Sequence, residues 1–189
     1  MEKASYRAFR DAKQWEAWLS KNYHETEGLW IRFYKKASGV QTITHDQALD
    51  VALCFGWIDA QSKPLDEESW IQKFMPRRPR SIWSKRNIAH VERLTKEGRM
   101  RPPGLEAARK AKEDGRWEQA YDAPSQMEVP PDFLEALAKH KKAMAFFETL
   151  NKANRYAIAW RLQTAKKPET RQRRMEKMLD MLIRGEKLH

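Results

Sequence analysis

The chain has 189 residues and a formal net charge of +11, from 37 Lys and Arg against 26 Asp and Glu. Its 41% hydrophobic and 11% aromatic content, with eight tryptophans, excludes a wholly disordered polypeptide. A single cysteine, Cys54, excludes an intramolecular disulfide framework and a Cys-only zinc site, and no run of about 18 apolar residues is present to form a membrane span. A chain of this size buries roughly 70% of its unfolded surface, enough for a core without covalent staples. The N-terminal residues lack the apolar stretch of a signal peptide, so the expected location is cytoplasmic.

Trp15, Trp18 and Leu19 fall at helical spacing and predict a helix over residues 11–23. The run Leu29-Trp30-Ile31-Arg32-Phe33-Tyr34 predicts a strand that ends before Gly39. Thr44, with Gln47 three residues on, is a capping box for a helix carrying Leu49, Ala52 and Leu53 and stopping at Gly56. Residues 57–61 and 69–74 read as two strands, joined as a hairpin through the acidic turn Asp66-Glu67-Glu68. Pro76 and Pro79 force the chain out of the sheet, and a helix begins near Ser84 and runs to Gly98. Pro102-Pro103-Gly104 reads as a break before a short helix over residues 105–114.

Beyond residue 121 the pattern is helical only. Short apolar stripes occur at Phe133 to Leu137, Met144 to Leu150 and Tyr156 to Leu162. A fourth, in the last helix, is the clearest, with Met175, Met178, Leu179, Leu182 and Ile183 at i, i+3, i+4, i+7 and i+8. Its basic side would suit an anionic membrane surface, although packing of the stripe on the other C-terminal helices is the favoured reading. The expected class is α+β: a small antiparallel sheet of about three strands packed with helices in residues 1–121, a linker over 122–131, and a helical region over 132–189.

The segment with chemical content is Pro76 to Asn87. It holds five cations, Arg77, Arg78, Arg80, Lys85 and Arg86, and no acid. Lys85 and Arg86 fall in a first helical turn, where the helix dipole disfavours positive charge. Guanidinium groups, the Ser81 and Ser84 hydroxyls, Asn87 and helix-start N–H groups together describe an anion cradle, with Trp83 as a flat surface for a base or sugar. Trp57 and Asp59 are candidate lining. The structural alternative pairs the arginines with Asp66, Glu67 and Glu68 and puts Trp83 in the core. Asp59 reads best as a carboxylate paired with an arginine, and Cys54 as an inert buried thiol. The five histidines share no ligand spacing, and phosphate-loop, dinucleotide and nucleophile-elbow motifs are absent. No cofactor or metal is expected.

Several strings resemble a known family. They are Trp30 to Lys36 with Ser38-Gly39, Ala52-Leu53-Cys54-Phe55-Gly56-Trp57-Ile58-Asp59, Pro76-Arg77-Arg78 with Trp83-Ser84, and Asp114-Gly115-Arg116-Trp117. On these the chain resembles the YdeI/OmpD-associated, bacteriocin-protection family, related to the YjbR/CyaY-like group, with Ala60 and Met75 as departures. The resemblance implies an α+β N-terminal region, a helical C-terminal region and a link to tolerance of cationic antimicrobial peptides. Direct capture of cationic peptides by a chain of charge +11 is electrostatically unfavourable, and iron handling would need clustered carboxylates where this segment is cationic. The expected function is that of a non-enzymatic stress or envelope-defence protein that binds an anionic small molecule or phosphate-bearing partner. Nucleic-acid binding is the alternative, and an enzyme using His90 beside the arginines the third reading.

Overall fold

Asp11, Thr44, Ser84 and Asn151 each cap a helix through a side-chain oxygen, and these caps divide the chain into its elements. The computed structural model describes residues 5–122 and 126–188. It divides into two compact units, Met1–Ala120 and Tyr121–His189.

The first unit is built on a four-stranded sheet in the order β1-β2-β4-β3: β1 Tyr6–Ala8, β2 Leu29–Tyr34, β3 Trp57–Pro64 and β4 Ser69–Pro76. The β3–β4 hairpin forms as read, and its turn is held by Asp66 Oδ1, which accepts from Glu68 N–H and Ser69 Oγ–H. The α+β class stands, but the sheet has a fourth strand and is mixed, because β1 runs parallel to β2. Three residues are too few to show a two-residue alternation, and that is why β1 is invisible in the sequence pattern.

Helices α1 (Ala12–Asn22) and α2 (His45–Cys54) bury their apolar sides with the inner face of the sheet. The predicted capping box is present, Thr44 Oγ1 accepting from Gln47 N–H and Gln47 Oε1 from Thr44 N–H. From Ala48 to Cys54 only Asp50 escapes burial, so α2 is the central helix of the core. Trp15 on α1 reaches across to donate its indole N–H to Ala48 O at 3.1 Å.

Two further helices complete this unit, α3 (Lys85–Lys96) and α4 (Pro102–Glu113). The Pro-Pro-Gly triplet is not a break but the first turn of α4. Prolines fit there because the first helical N–H groups have no intrahelical acceptor to lose. Gly104 then lets α4 approach the end of α2: a Cβ at that position would lie 2.3 Å from Cys54 O.

The second unit holds α5 (Pro131–Ala138), α6 (Lys141–Glu148), α7 (Lys152–Gln163) and α8 (Pro168–Ile183) around Phe133, Leu137, Phe147, Ile158 and Leu162. Met178 and Leu182 of α8 are buried in that cluster and Met175 and Leu179 pack on it, so four residues of the apolar stripe face the neighbouring helices, whereas Ile183, at its end, is 45% exposed. Pro131, at the end of the predicted linker, is the first residue of α5, and residues 123–125 of that stretch lie outside the described residues. Among the described residues no helix is long and apolar enough to cross a membrane.

Replacing Gly104 with Ala forces a methyl group against rigid backbone. The Gly104→Ala variant should lose about 1–3 kcal/mol of stability, the usual cost of overpacking, read as a lower urea midpoint.

Candidate functional site

After β4 the chain folds back over the end of α2. Arg77 N–H donates to Gly56 O at 2.9 Å, which joins the strand end to the turn between α2 and β3. The Arg77 guanidinium lies 3.6 Å from the centre of the Trp83 ring and donates from Nη1 to Ile82 O. Trp83 is 2% exposed and packs at 5.0 Å against Trp117. The loop is braced from outside by Arg116, whose Nη1 donates to Ser81 O at 2.9 Å while Nε bonds the Asp114 carboxylate at 2.7 Å. Ser81 closes the turn internally, its N–H donating to Arg78 O and its Oγ accepting from Arg78 N–H.

This arrangement walls a cleft of about 620 Å³. Arg77, Arg78 and Trp83 come from the loop, Phe55, Gly56 and Trp57 from the α2–β3 turn, and Lys110 and Arg116 from the α4 side, with Tyr23 at the edge. Trp57 is fixed by its indole N–H, which donates to Tyr23 O at 2.7 Å. Three acids also line the wall, and each is already engaged. Glu106 bonds Arg109 at 2.7 Å and Lys110 at 3.3 Å, Glu113 bonds Arg109, and Asp114 bonds Arg116. The hydrogen bonds from Arg109 hold the Glu106 carboxyl well below the usual carboxylate range. The cleft therefore joins aromatic side chains to walls that carry four cations and three ion-paired acids.

Of the residues singled out from the sequence, Arg77, Arg78, Trp83 and Trp57 meet in this cleft. The rest do not. Arg80 is exposed on the loop outside it. Ser84 caps α3 by accepting from Asn87 N–H at 3.1 Å, and both residues are buried. Lys85 and Arg86 stand on the first turn of α3, as the spacing predicts, but away from the cleft lining. Arg86 turns to Asp46 on α2, at 2.7 Å. The same seam continues one turn on, where Asp50 meets His90 Nδ1 and Arg93 Nη2, each at 2.6 Å. His90 is thus held by α2 and does not line the cleft. Burial pushes the Asp50 carboxyl upward, yet the bonds from Arg93 and His90 leave it below its ordinary value.

Among the described residues Arg78 and Arg80 form no ion pair with the hairpin acids, and Arg86 pairs with Asp46 instead. Asp66 is bonded by Arg32 at 2.7 Å, and Lys35 Nζ donates to the backbone carbonyl of Glu67. Trp83 is both core and cleft wall, so the two readings of that residue meet. Asp59 pairs with His45 rather than with an arginine. Burial pushes the Cys54 thiol up to about 11, in keeping with an inert side chain. Arg116, Lys110 and Tyr23 were not legible as lining. Arg116 had a signal all the same: it follows the helix-terminating Gly115, where the chain turns back toward the loop.

Two family models match the chain. Residues 7–107 match the family described as domain of unknown function (DUF8412), and residues 126–185 match the one described as bacteriocin-protection, YdeI or OmpD-associated. The strings from Trp30 to Trp83 that carried the resemblance thus lie within the first match, while the second covers the helical unit. No curated protein and no solved structure matches the chain.

His45 generates a pH dependence. Its Nε2 lies 3.3 Å from Asp59 and its Nδ1 3.6 Å from Asp46, with the ring near Phe33, Trp70 and Phe74. The Asp59 hydrogen bond raises its pKa above the ordinary value, against the opposing effect of burial. The resulting stabilisation is full below the unfolded value of about 6.5 and disappears as pH rises through the higher folded value. Between about pH 6 and pH 8.5 the urea midpoint should fall more in the wild type than in Asp59→Asn. Equal slopes would remove the pair as the cause.

Proposed function

For a chain that belongs to the family described as domain of unknown function (DUF8412), we propose a non-enzymatic binding function centred on the cleft beside Arg77 and Arg78. The ligand is a small molecule with a compact anionic group and a flat or apolar remainder. Arg78 and Arg77 meet the anion, Lys110 turns to it from Glu106, which keeps its bond to Arg109, and Trp57, Phe55 and Tyr23 take the remainder. The observation that carries this reading is the pairing inside the cleft: its acids are bonded to Arg109, Lys110 and Arg116, while Arg78 enters no salt bridge among the described residues. The stack on Trp83 holds Arg77 in one place, so part of the ordering entropy is removed before a ligand arrives.

The match of residues 126–185 to a bacteriocin-protection description supports a role in stress or envelope defence, and we assign that role to a cytoplasmic protein. A protein of this charge would act through an anionic intermediary rather than by holding cationic peptides. Nucleic-acid binding along the Arg77–Arg86 segment is the weaker reading for this site. Arg86 is committed to Asp46, and three acids interrupt the cleft wall that a phosphate chain would have to follow.

Titration of the full chain with phenyl phosphate, followed by tryptophan fluorescence, tests the proposal through Trp57 and Trp83. Binding should be saturable and tighter than that of inorganic phosphate. Arg78→Ala and Lys110→Ala should each weaken it by about 10-fold or more, the size expected for a charge-assisted hydrogen bond, with unchanged circular dichroism. The salt slope should be shallower than the roughly 0.7–0.9 in log K per phosphate contact that a nucleic acid shows, because phenyl phosphate carries no condensed counterions to release. Unaltered affinity in both variants would overturn the assignment.

A further inference from the structure

The outer face of the sheet carries chemistry that the cleft does not use. Alternation along β2 sends Ile31 and Phe33 into the core and leaves Trp30, Arg32 and Tyr34 half-buried on the other side. In register with them stand Tyr6 of β1 beside Trp30, Lys73 of β4 beside Trp30, and Ile71 of β4 beside Arg32. Lys63 of β3 pairs with Ile71 and shares the same side. Ile71 is buried yet lies outside the core cluster, as expected of a residue shielded by these neighbours.

Rings and cations interleave on this face. The Arg32 guanidinium lies 4.4 Å from the Tyr34 ring and 5.8 Å from that of Tyr6, and Lys63 Nζ lies 5.0 Å from Trp30. Asp66 balances Arg32, whereas Lys63 and Lys73 form no salt bridge among the described residues. We infer that this face binds single-stranded nucleic acid, with bases stacked on Trp30, Tyr34 and Tyr6 and phosphates met by Lys63 and Lys73.

The alternation of ring and charge on this face, together with the net charge of +11, favours a polyanion with exposed flat rings. A base stacked on an aromatic ring is held more strongly than a surface ammonium over the same ring. An arriving base therefore displaces Lys63 from Trp30 and releases it to a phosphate. Trp30 and Tyr34 are four residues apart, about 13 Å along the strand, and the neighbouring strand puts Tyr6 about 5 Å from Trp30. Such a row accommodates two or three splayed bases. A duplex hides its base faces in its own stack, and an acidic protein would satisfy the lysines but not the rings.

The experiment is fluorescence anisotropy of the full chain with a fluorescein-labelled 12-nucleotide oligouridylate at low salt. Tyr34→Ala should weaken binding by about 5-fold or more and Tyr34→Phe should retain it, since the ring is what stacks. Tyr6, 41% exposed, supplies a second aromatic variant, Tyr6→Ala, whose side chain is not in the core. Lys63→Gln and Lys73→Gln should each flatten the salt slope by about 0.7. A matched duplex should compete poorly, and Arg78→Ala should leave the affinity unchanged. Absence of binding, indifference to both tyrosine variants, equal competition by duplex, or loss of affinity in Arg78→Ala would each overturn the inference. The last two would mark a general charge effect and binding at the cleft, respectively.

Discussion

A guanidinium seated over a buried indole organises the N-terminal unit's candidate cleft. Arg77 reaches Trp83 across the five residues between them and draws together the end of β4 and the start of α3. The contact is desolvated on the indole side, where such pairs are worth up to about 2 kcal/mol, and Trp83 in turn packs on Trp117 beyond α4. Strand end, helix start and the segment after α4 therefore converge on one ring pair. Without that convergence Arg78, Lys110 and the aromatic side chains would belong to separate surfaces.

The distribution of ion pairs then gives meaning to the positive charge. Many cations are absorbed locally: Arg86 and Arg93 by the acids of α2, Arg32 by the hairpin turn, Arg109 by both acids of its own helix. The α2–α3 seam also accounts for Arg86 at an unfavourable helix start. Asp46 stands in the first turn of α2, where the dipole favours an acid, and its carboxylate reaches across to Arg86. An apparent violation of helix design is thus a contact between two helices.

Local order was legible in the letters because caps and turns act within a few residues. Thr44 with Gln47 caps α2 as its spacing indicates, and α1 and α3 begin next to Asp11 and Ser84, where the sequence pattern puts their starts. The cationic loop and its neighbouring tryptophans could also be read as a site, and four of those residues do share a cleft. What escaped depends on partners far along the chain. Arg86 selects Asp46 from 40 residues away, and Asp59 selects His45. Arg116 reaches back 35 residues to Ser81. The strand β1 is specified by its pairing with β2 rather than by any pattern of its own. Pro102 and Pro103 read as punctuation because a proline pair breaks most elements, and only the vacant donors of a helix start make it welcome.

In the wall of the cleft, Gly56 has φ of +74°, and a Cβ there would stand 2.9 Å from Pro103 O. Two stretches of main chain approach each other at this point with no room for a side chain between them. Peptide planes have no rotamers to rearrange, so a residue other than glycine at position 56 would have to push the start of α4 away from the turn between α2 and β3. The contour of that wall is therefore set by the path of the polypeptide rather than by the choice of side chains.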